Sequence, residues 1–511
     1  MKSRFLLALL SFVVAFTACK KDNNKPDQQN QDKETQLRDL TYYYSGMFSL
    51  WADKIPDSKL IAQNKNYEQV FADKPIIEPS ILEKIRSAHT GNLSTGEEVL
   101  AKIKTLYAND DRFSFIDRKG VVGEEIGEGL HKEFGIIPDY FLSSANASNA
   151  DLYIKLVQKN SPAEKAGIKR GMRVLSIDGD TKIDYLSQEP KDFALVNKLF
   201  GGPESIKIKV KDLNTNKESE VTLQAGEYHI EPFFENKVVT LNNKKIGYLA
   251  YTSFVEIFKR DGSHTDYYAG LENAVKSLED QGIQELVVDL RYNGGGSTNA
   301  AELFTNLLAP TKVGTSVMYT HKVNDTFKRW RFDDPTVEGA PFAPIKFNKK
   351  NSLNLAKIYF LVTRSTASAS ELLINNLRPH MQVELISIND RGSYGKPVGF
   401  FGFSVMDKYA DLYITSFETL NSSGQGGYFN GLIGTKKDSY DDIAHQLGDT
   451  NEQMFKDALY HIASGSYQSA RASTRIGKSG ESISPVSLNI PGSNSSVLGM
   501  FKFSDRKNAK L

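Results

Sequence analysis

Three short stretches of this chain combine residue types that can do covalent chemistry. The first is Thr366-Ala367-Ser368-Ala369-Ser370-Glu371, which follows the buried-type run Lys357 to Thr363 and opens a helical pattern, Ala369 to Leu377, that Pro379 stops. A hydroxyl at a strand-to-helix junction meets the free N–H groups of the helix start, which favour developing negative charge. That geometry suits a nucleophile whose attack creates an oxyanion. The same Ser368-x-x-Glu371 spacing is also a capping box, which needs no catalysis. Both roles fit one residue pair.

The second stretch is Gly392-Ser393-Tyr394-Gly395-Lys396-Pro397. It lacks the spacing of a phosphate loop, and Pro397 stands where that loop has a hydroxyl residue. A glycine loop after the strand Val383 to Ile388 can instead bring Lys396 inward. Desolvation lowers a lysine pKa from its usual value of about 10.4, and a buried amine can then serve as a general base. On the surface the same Gly-Lys pair is an ordinary turn. The third stretch, Asp289-Leu290-Arg291-Tyr292-Asn293-Gly294-Gly295-Gly296, offers bare backbone and N–H donors at close range. Asp289 and Arg291 can also simply fix that loop by pairing.

The elements around these stretches alternate in type. Ile246 to Tyr251 reads as a strand, Tyr267 to Leu278 as a helix, and Glu285 to Leu290 as a buried strand ending in the glycine loop. Lys357 to Thr363 and Val383 to Ile388 repeat the strand design, and Asn451 to Ile462 is a late amphipathic helix. Strands alternating with helices predict a mostly parallel sheet whose strand ends gather the site. Residues 41–117 read as a helical N-terminal domain without recognisable chemistry. Residues 466–511, rich in Ser, Thr, Gly and Asn, read as a loosely ordered tail.

At 511 residues the chain is long enough for two to four domains. Lys plus Arg total 63 against 62 Asp plus Glu, so charge supplies no reason to expect nucleic-acid binding. A single cysteine excludes a disulfide scaffold and a cysteine-based zinc site. No H-E-x-x-H or other ligand cluster stands out among the eight histidines, so no metal or other cofactor is expected. His380 lies about one helix length beyond Ser368, badly placed for a Ser-His-Asp triad.

The cysteine ends a signal-like segment. Lys2 and Arg4 precede the apolar run Phe5 to Phe16, too short for a membrane span, and Thr17-Ala18-Cys19 follows. Phe16-Thr17-Ala18-Cys19 resembles a bacterial lipoprotein lipobox, with Phe16 replacing the usual small aliphatic residue. That resemblance implies a signal peptide at 1–18 and a lipidated Cys19. The polar stretch 19–40 then reads as a flexible tether holding the body off an envelope membrane, on its periplasmic or cell-surface face.

Between these parts, residues 118–232 carry Ser161-Pro162-Ala163-Glu164-Lys165-Ala166-Gly167 and then Gly171-Met172-Arg173-Val174-Leu175-Ser176-Ile177-Asp178-Gly179. That order resembles a PDZ domain of the bacterial protease type, which binds a peptide end by adding it to a sheet edge. Phe134-Gly135-Ile136 is the loop expected to receive the terminal carboxylate.

Taken in order, the three chemical stretches resemble the carboxyl-terminal processing (tail-specific) peptidases, serine proteases with a Ser-Lys dyad. The family's Asp-Leu-Arg-x-Asn-x-Gly-Gly, Ser-Ala-Ser-Glu and Phe/Tyr-Gly-Lys elements match Asp289 to Gly296, Ser368 to Glu371 and Tyr394 to Lys396. The resemblance implies an α/β multidomain fold: the helical N-terminal domain, a PDZ-like β-rich domain and a ClpP/crotonase-like peptidase core at 233–465. It places Ser368 as nucleophile, Lys396 as general base, and Gly295 and the Ala369 amide as oxyanion donors, with Gly296 the close competitor and Glu371 in support. The implied partners are proteins or peptides with free C-terminal tails. Two positions depart from the pattern. Gly294 occupies the usual proline position, and Phe400 stands where many relatives have a Gln supporting the lysine, leaving the partner that orients Lys396 unassigned. Phe400 favours the alternative expectation, a catalytically weak or inactive tethered peptide-binding scaffold on the same fold.

Overall fold

The structure, a computed structural model, describes residues 25–63, 77–107, 111–143, 146–468, 475–476, 482–488 and 499–502. The signal-like segment and Cys19 lie outside the described residues. Helix α1 (Lys25–Phe48) begins well inside the stretch expected to be a tether. Its Gln, Lys and Glu residues are good helix formers, and Leu37, Met47 and Phe48 bury its inner side completely. Helix α2 (Gly96–Thr105) starts at Thr95, whose hydroxyl accepts the Glu98 N–H at 3.2 Å. These helices share the core of the α/β body. The Phe48 ring stacks on Phe327 with centroids 5.5 Å apart, and Leu50 N–H donates to Thr415 O at 2.8 Å.

A β-rich unit follows: β1 (Ile136–Ser143), β2 (Asn146–Val157), β3 (Arg173–Ile177), β4 (Ser205–Lys211) and β5 (Glu218–Gln224), paired antiparallel in that order. It has its own core, in which Phe134, Ile154, Val174, Leu199 and Ile208 are buried. Between β2 and β3, Ser161 caps a short helix (Pro162–Lys165) with proline in its first turn, the start that Ser161-Pro162 predicts.

The α/β body contains β6 (Phe233–Leu241), β7 (Lys244–Tyr251), α3 (Asp266–Asp280), β8 (Glu285–Asp289), β9 (Gly295–Ser297), α4 (Thr298–Leu308), β10 (Val317–Val323), β11 (Ile345–Lys346), β12 (Lys357–Val362), α5 (Ala369–Leu377), β13 (Gln382–Ser387), β14 (Val398–Phe400), β15 (Thr415–Asn421) and α6 (Gln453–Ser464). Its main sheet has the order β13-β12-β8-β7-β6, parallel except for β6. Both faces are covered, so its strands read as unbroken apolar runs. Ile358, Phe360 and Val362 of β12 pack with α3, α4 and α5, whereas Tyr359 and Leu361 pack with Met454, Phe455 and Ala458 of α6. Ser368 lies just beyond the C-terminal end of β12.

The segment expected to be a loose tail forms strands: β16 (Arg475–Ile476), β17 (Ser482–Leu488) and β18 (Gly499–Phe501). Strand β17 extends the β-rich unit beyond β1, and β18 enters a second, six-stranded sheet of order β9-β18-β14-β15-β10-β11. Serine content conceals the reason. In Ser482-Ile483-Ser484-Pro485-Val486-Ser487-Leu488 apolar residues are interleaved with serines, and pairing partners remote in sequence supply the rest.

Candidate active site

Ser368 is the N-cap of α5 and is fully buried. Its backbone has φ 60° and ψ −106°, a strained conformation for a residue with a side chain and one that costs about 1–3 kcal/mol. The surroundings hold it there. Ala367 N–H donates to Asn293 O at 3.1 Å, Tyr394 N–H to Thr366 O at 2.9 Å, and the Thr366 hydroxyl to Leu290 O at 2.7 Å. Glu371 supplies the carboxylate half of the capping box, with Ser368 N–H donating to Glu371 Oε2 at 2.8 Å. The Ser368 hydroxyl does not complete the box and makes no hydrogen bond among the described residues.

Glu371 joins the serine to the lysine. Besides Ser368 N–H, its carboxylate accepts Lys396 N–H at 2.8 Å, Gly395 N–H at 2.7 Å and the Ser393 hydroxyl at 2.5 Å. The Ser368 and Lys396 amides converge on the same oxygen, Oε2, so the two residues' backbones meet across a single atom. Burial holds the Glu371 carboxyl above its ordinary pKa, although these four donors oppose the shift. Arg112 clamps the lysine loop from outside, donating to Gly395 O at 3.0 Å and Phe429 O at 2.6 Å.

Lys396 is 2% exposed. Burial pushes its pKa well below the ordinary lysine value; Asp111 and Glu371 oppose the shift, and Lys104 adds to it. Its Nζ lies 4.0 Å from the Phe400 ring centroid and 5.2 Å from that of Phe113. Asp111, itself 2% exposed, is fixed by Phe113 N–H at 3.1 Å and by Ser114 N–H at 2.9 Å. Sequence reasoning missed Asp111 and Phe113. They come from the end of the stretch that carried no motif, and only tertiary folding brings them to Lys396.

The glycine loop lies against the serine turn. Gly295 (φ 105°) and Gly296 (φ 133°) occupy conformations open to glycine. A Cβ on Gly295 would stand 3.0 Å from Ala369 N, and one on Gly296 would stand 2.2 Å from Phe254 O. The Gly295 N–H, expected as an oxyanion donor, donates to Asn293 Oδ1 at 2.9 Å instead. Asn293 is placed for this because its Nδ2 is anchored on Tyr251 O at 2.9 Å. Ala369 N–H heads a helix and has no intrahelical acceptor, which leaves it suited to receive an anion.

The fold therefore gathers Ser368, Ala369, Glu371, Lys396, Gly295 and Gly296 at one place. Phe134, Gly135 and Ile136 lie in the β-rich unit, where the Phe134 and Ile136 side chains are buried core residues and Gly135 (φ 80°) turns the chain into β1. His380 does not reach the serine; its ring nitrogen pairs with the Ser422 hydroxyl at 3.0 Å. Among the described residues no group of carboxylates, histidines or cysteines is arranged to hold a metal ion.

On the same loop, Asp289 and Arg291 do pair, as part of a larger buried network. The Arg291 guanidinium donates to Asp289 Oδ2 at 2.7 Å, to both Glu452 oxygens at 2.7 and 2.8 Å, and to Asp441 Oδ1 at 3.0 Å. Arg170 of the β-rich unit reaches Asp441 Oδ1 at 2.6 Å and donates to the Tyr292 hydroxyl, which donates to Asp441 Oδ2. Burial alone would raise the Asp441 pKa, but Arg170 and Arg291 hold it well below the ordinary carboxylate range.

Residues 245–435 match the family model described as Peptidase family S41. Among curated proteins the chain is 26% identical over 228 residues to a chain of Staphylococcus haemolyticus named as a CtpA-like serine protease, covering 44% of this chain and 38% of that one. It is 24% identical over 244 residues to the carboxyl-terminal-processing protease of Synechocystis, covering 47% and 49%. The chain thus spans less than half the length of these relatives. A crystal structure from Bacteroides fragilis, assigned to the S41 proteases, superposes with a TM-score of 0.57 at 23% identity, covering 83% of this chain and 97% of that one, a likeness of fold.

Proposed function

With residues 245–435 belonging to peptidase family S41, we propose that the chain is a serine endopeptidase working through a Ser368-Lys396 dyad. One observation carries the reading: a strained, buried serine with an unbonded hydroxyl is tied through Glu371 to a buried lysine whose amine is biased toward its neutral form. Lys396 Nζ takes the Ser368 proton as Oγ attacks the scissile carbonyl carbon. The oxyanion forms at the start of α5, where Ala369 N–H stabilises it. The lysine ammonium then protonates the leaving amine, and the neutral lysine later activates the water that hydrolyses the acyl-enzyme. A histidine is not needed in this scheme.

The substrate class follows from the β-rich unit read as PDZ-like: proteins or peptides held by free C-terminal tails, in keeping with the carboxyl-terminal processing named for the Synechocystis relative. The cellular setting belongs to the same proposal, a body tethered through lipidated Cys19 at the bacterial envelope. Radiolabelled palmitate incorporation that disappears in Cys19→Ala tests the anchor. The Phe400 ring offers Lys396 no lone pair, and this favours the second reading, a non-cleaving peptide-binding scaffold. The deciding experiment is cleavage of an unfolded protein by the chain and by its Ser368→Ala and Lys396→Ala variants, each checked for folding. Loss in both variants supports the dyad, survival in Ser368→Ala removes the nucleophile, and no cleavage by the folded parent favours the scaffold.

A further inference from the structure

The strands of the C-terminal segment occupy two places where an extended peptide would be expected to lie. Without β17, and the two-residue β16 that pairs with β17 alone, β1 would be the outer strand of the β-rich sheet. Strand β17 pairs antiparallel to it, Ile483 opposite Ser143, Ser487 opposite Phe141 and Leu488 opposite Tyr140. As the segment runs toward its C-terminus it therefore advances along β1 toward the Phe134-Gly135-Ile136 turn. A peptide end captured by strand addition, with its carboxylate directed at that turn, would run the same way.

The second place is beside the catalytic groups. Strand β18 lies between β9, which carries Gly295 and Gly296, and β14, which follows Lys396. Gly499 N–H donates to Gly294 O at 3.2 Å, and Lys502 N–H donates to Phe400 O at 3.2 Å. The Gly499 carbonyl oxygen lies 2.5 Å from where a Cβ on Gly295 would be, and the Ala369 amide nitrogen lies 3.0 Å from the same point. Met500 and Phe501 are buried, the Phe501 ring 5.3 Å from that of Phe400, which in turn faces Lys396 Nζ. One segment thus covers a sheet edge and the glycine loop, and Ser368 is fully buried.

We propose that the C-terminal segment is an intramolecular ligand: Ser482–Leu488 fills the peptide edge of the β-rich unit, Gly499–Phe501 fills the strand slot beside the glycine loop, and a substrate must displace both to be cleaved. The inference rests on the peptidase reading and adds that the enzyme is self-occupied at rest. Strand addition explains how a serine-rich segment could serve, because main-chain hydrogen bonds supply most of the affinity. Tethering makes up for weak contacts by holding the segment at high effective concentration.

The test keeps the full chain and replaces residues 477–481 by the recognition sequence of a site-specific protease, so that the segment carrying both strands can be severed after folding. Severed and diluted, the protein should keep its circular dichroism and react with a fluorophosphonate at Ser368 about tenfold faster or more, because the tether's effective concentration is lost. Adding back the synthetic peptide 482–511 should reverse the gain. A second readout does not need a live nucleophile. The same peptide, fluorescein-labelled, should bind the severed protein and be displaced by an unfolded protein substrate. Failure of displacement, an unchanged fluorophosphonate rate in labelled protein, or cooperative unfolding on severing would each overturn the proposal, the last by making these strands ordinary core. Displacement without any labelling of Ser368 would uphold the ligand and remove the nucleophile, which separates the two readings.

Discussion

Two buried polar sites meet at the glycine loop, one on the loop itself around Arg291 and one against it around Ser368, and they are built in opposite ways. Around Arg291 every charge has a partner: Asp289, Asp441 and Glu452 surround the guanidinium, Arg170 supports Asp441, and Tyr248 donates to Asp289 at 2.5 Å. Around Ser368 the polar groups are held but not all satisfied. The hydroxyl has no acceptor, the backbone is strained, and aromatic rings face Lys396 Nζ. Buried charges are tolerated when paired, and unpaired polar groups are costly. The first site therefore reads as scaffolding, joining the β-rich unit to the loop through Arg170, and the second as stored reactivity. Glu371 marks the boundary, a fully bonded carboxylate whose four donors belong to the turn and loop that carry Ser368 and Lys396.

The contrast is sharpest at its two extremes. Ser368→Ala should lower the cleavage rate by about a millionfold, as for removal of other serine nucleophiles, while shifting stability by no more than about 1 kcal/mol, since the lost hydroxyl makes no cap bond. Paired rate measurements and thermal melts check this. Arg291→Met should do the reverse, destabilising by about 3–5 kcal/mol because three carboxylates lose their common partner. A denaturant titration would break the comparison if Arg291→Met melted like the parent.

Two smaller effects probe the boundary. Glu371→Gln should cost about 2 kcal/mol, because an amide nitrogen then faces backbone donors, and should also lower the rate by displacing Lys396. Activity lost without stability, or the converse, would move Glu371 wholly into one site. Phe400→Leu removes the ring that favours the ammonium form. The lysine pKa, already lowered, should fall further by less than about one pH unit, moving the acidic limb of the pH–rate profile to lower pH.

The acid response of the network has a definite sign. The folded-state pKa of Asp441 is depressed, so its contribution is complete above the unfolded value of about 3.9 and is lost as pH falls toward the folded one. Acid titration of Asp441→Asn should therefore be flatter than that of the parent below about pH 4.

Much of the candidate site was legible as a cluster because its residues lie in contiguous motifs. Ser368, Glu371 and Lys396 each sit at a strand end with glycine or a helix start beside them, and α5 runs over the very residues its periodicity predicts. The partners of Lys396 were not legible, since Asp111 and Phe113 are remote in sequence and no motif marks them. The role of Asn293 was hidden for another reason: an amide that captures the Gly295 N–H looks the same in sequence as one that does not. Composition misled at both ends. The polar start of α1 forms helix because a few apolar residues such as Leu37 suffice to dock it, and the serine-rich C-terminus pairs because strand addition depends on backbone more than on side chains.

The most direct test of the dyad is the pH dependence of Ser368 phosphonylation by a fluorophosphonate, in which the serine oxygen displaces fluoride at phosphorus, with the modified residue located by mass spectrometry. In the parent, phosphonylation should fall on Ser368 and rise with pH through a midpoint well below that of an ordinary lysine, and Lys396→Ala should lose that limb along with nearly all of the rate. Phosphonylation at another residue, or the same profile without Lys396, would contradict the account.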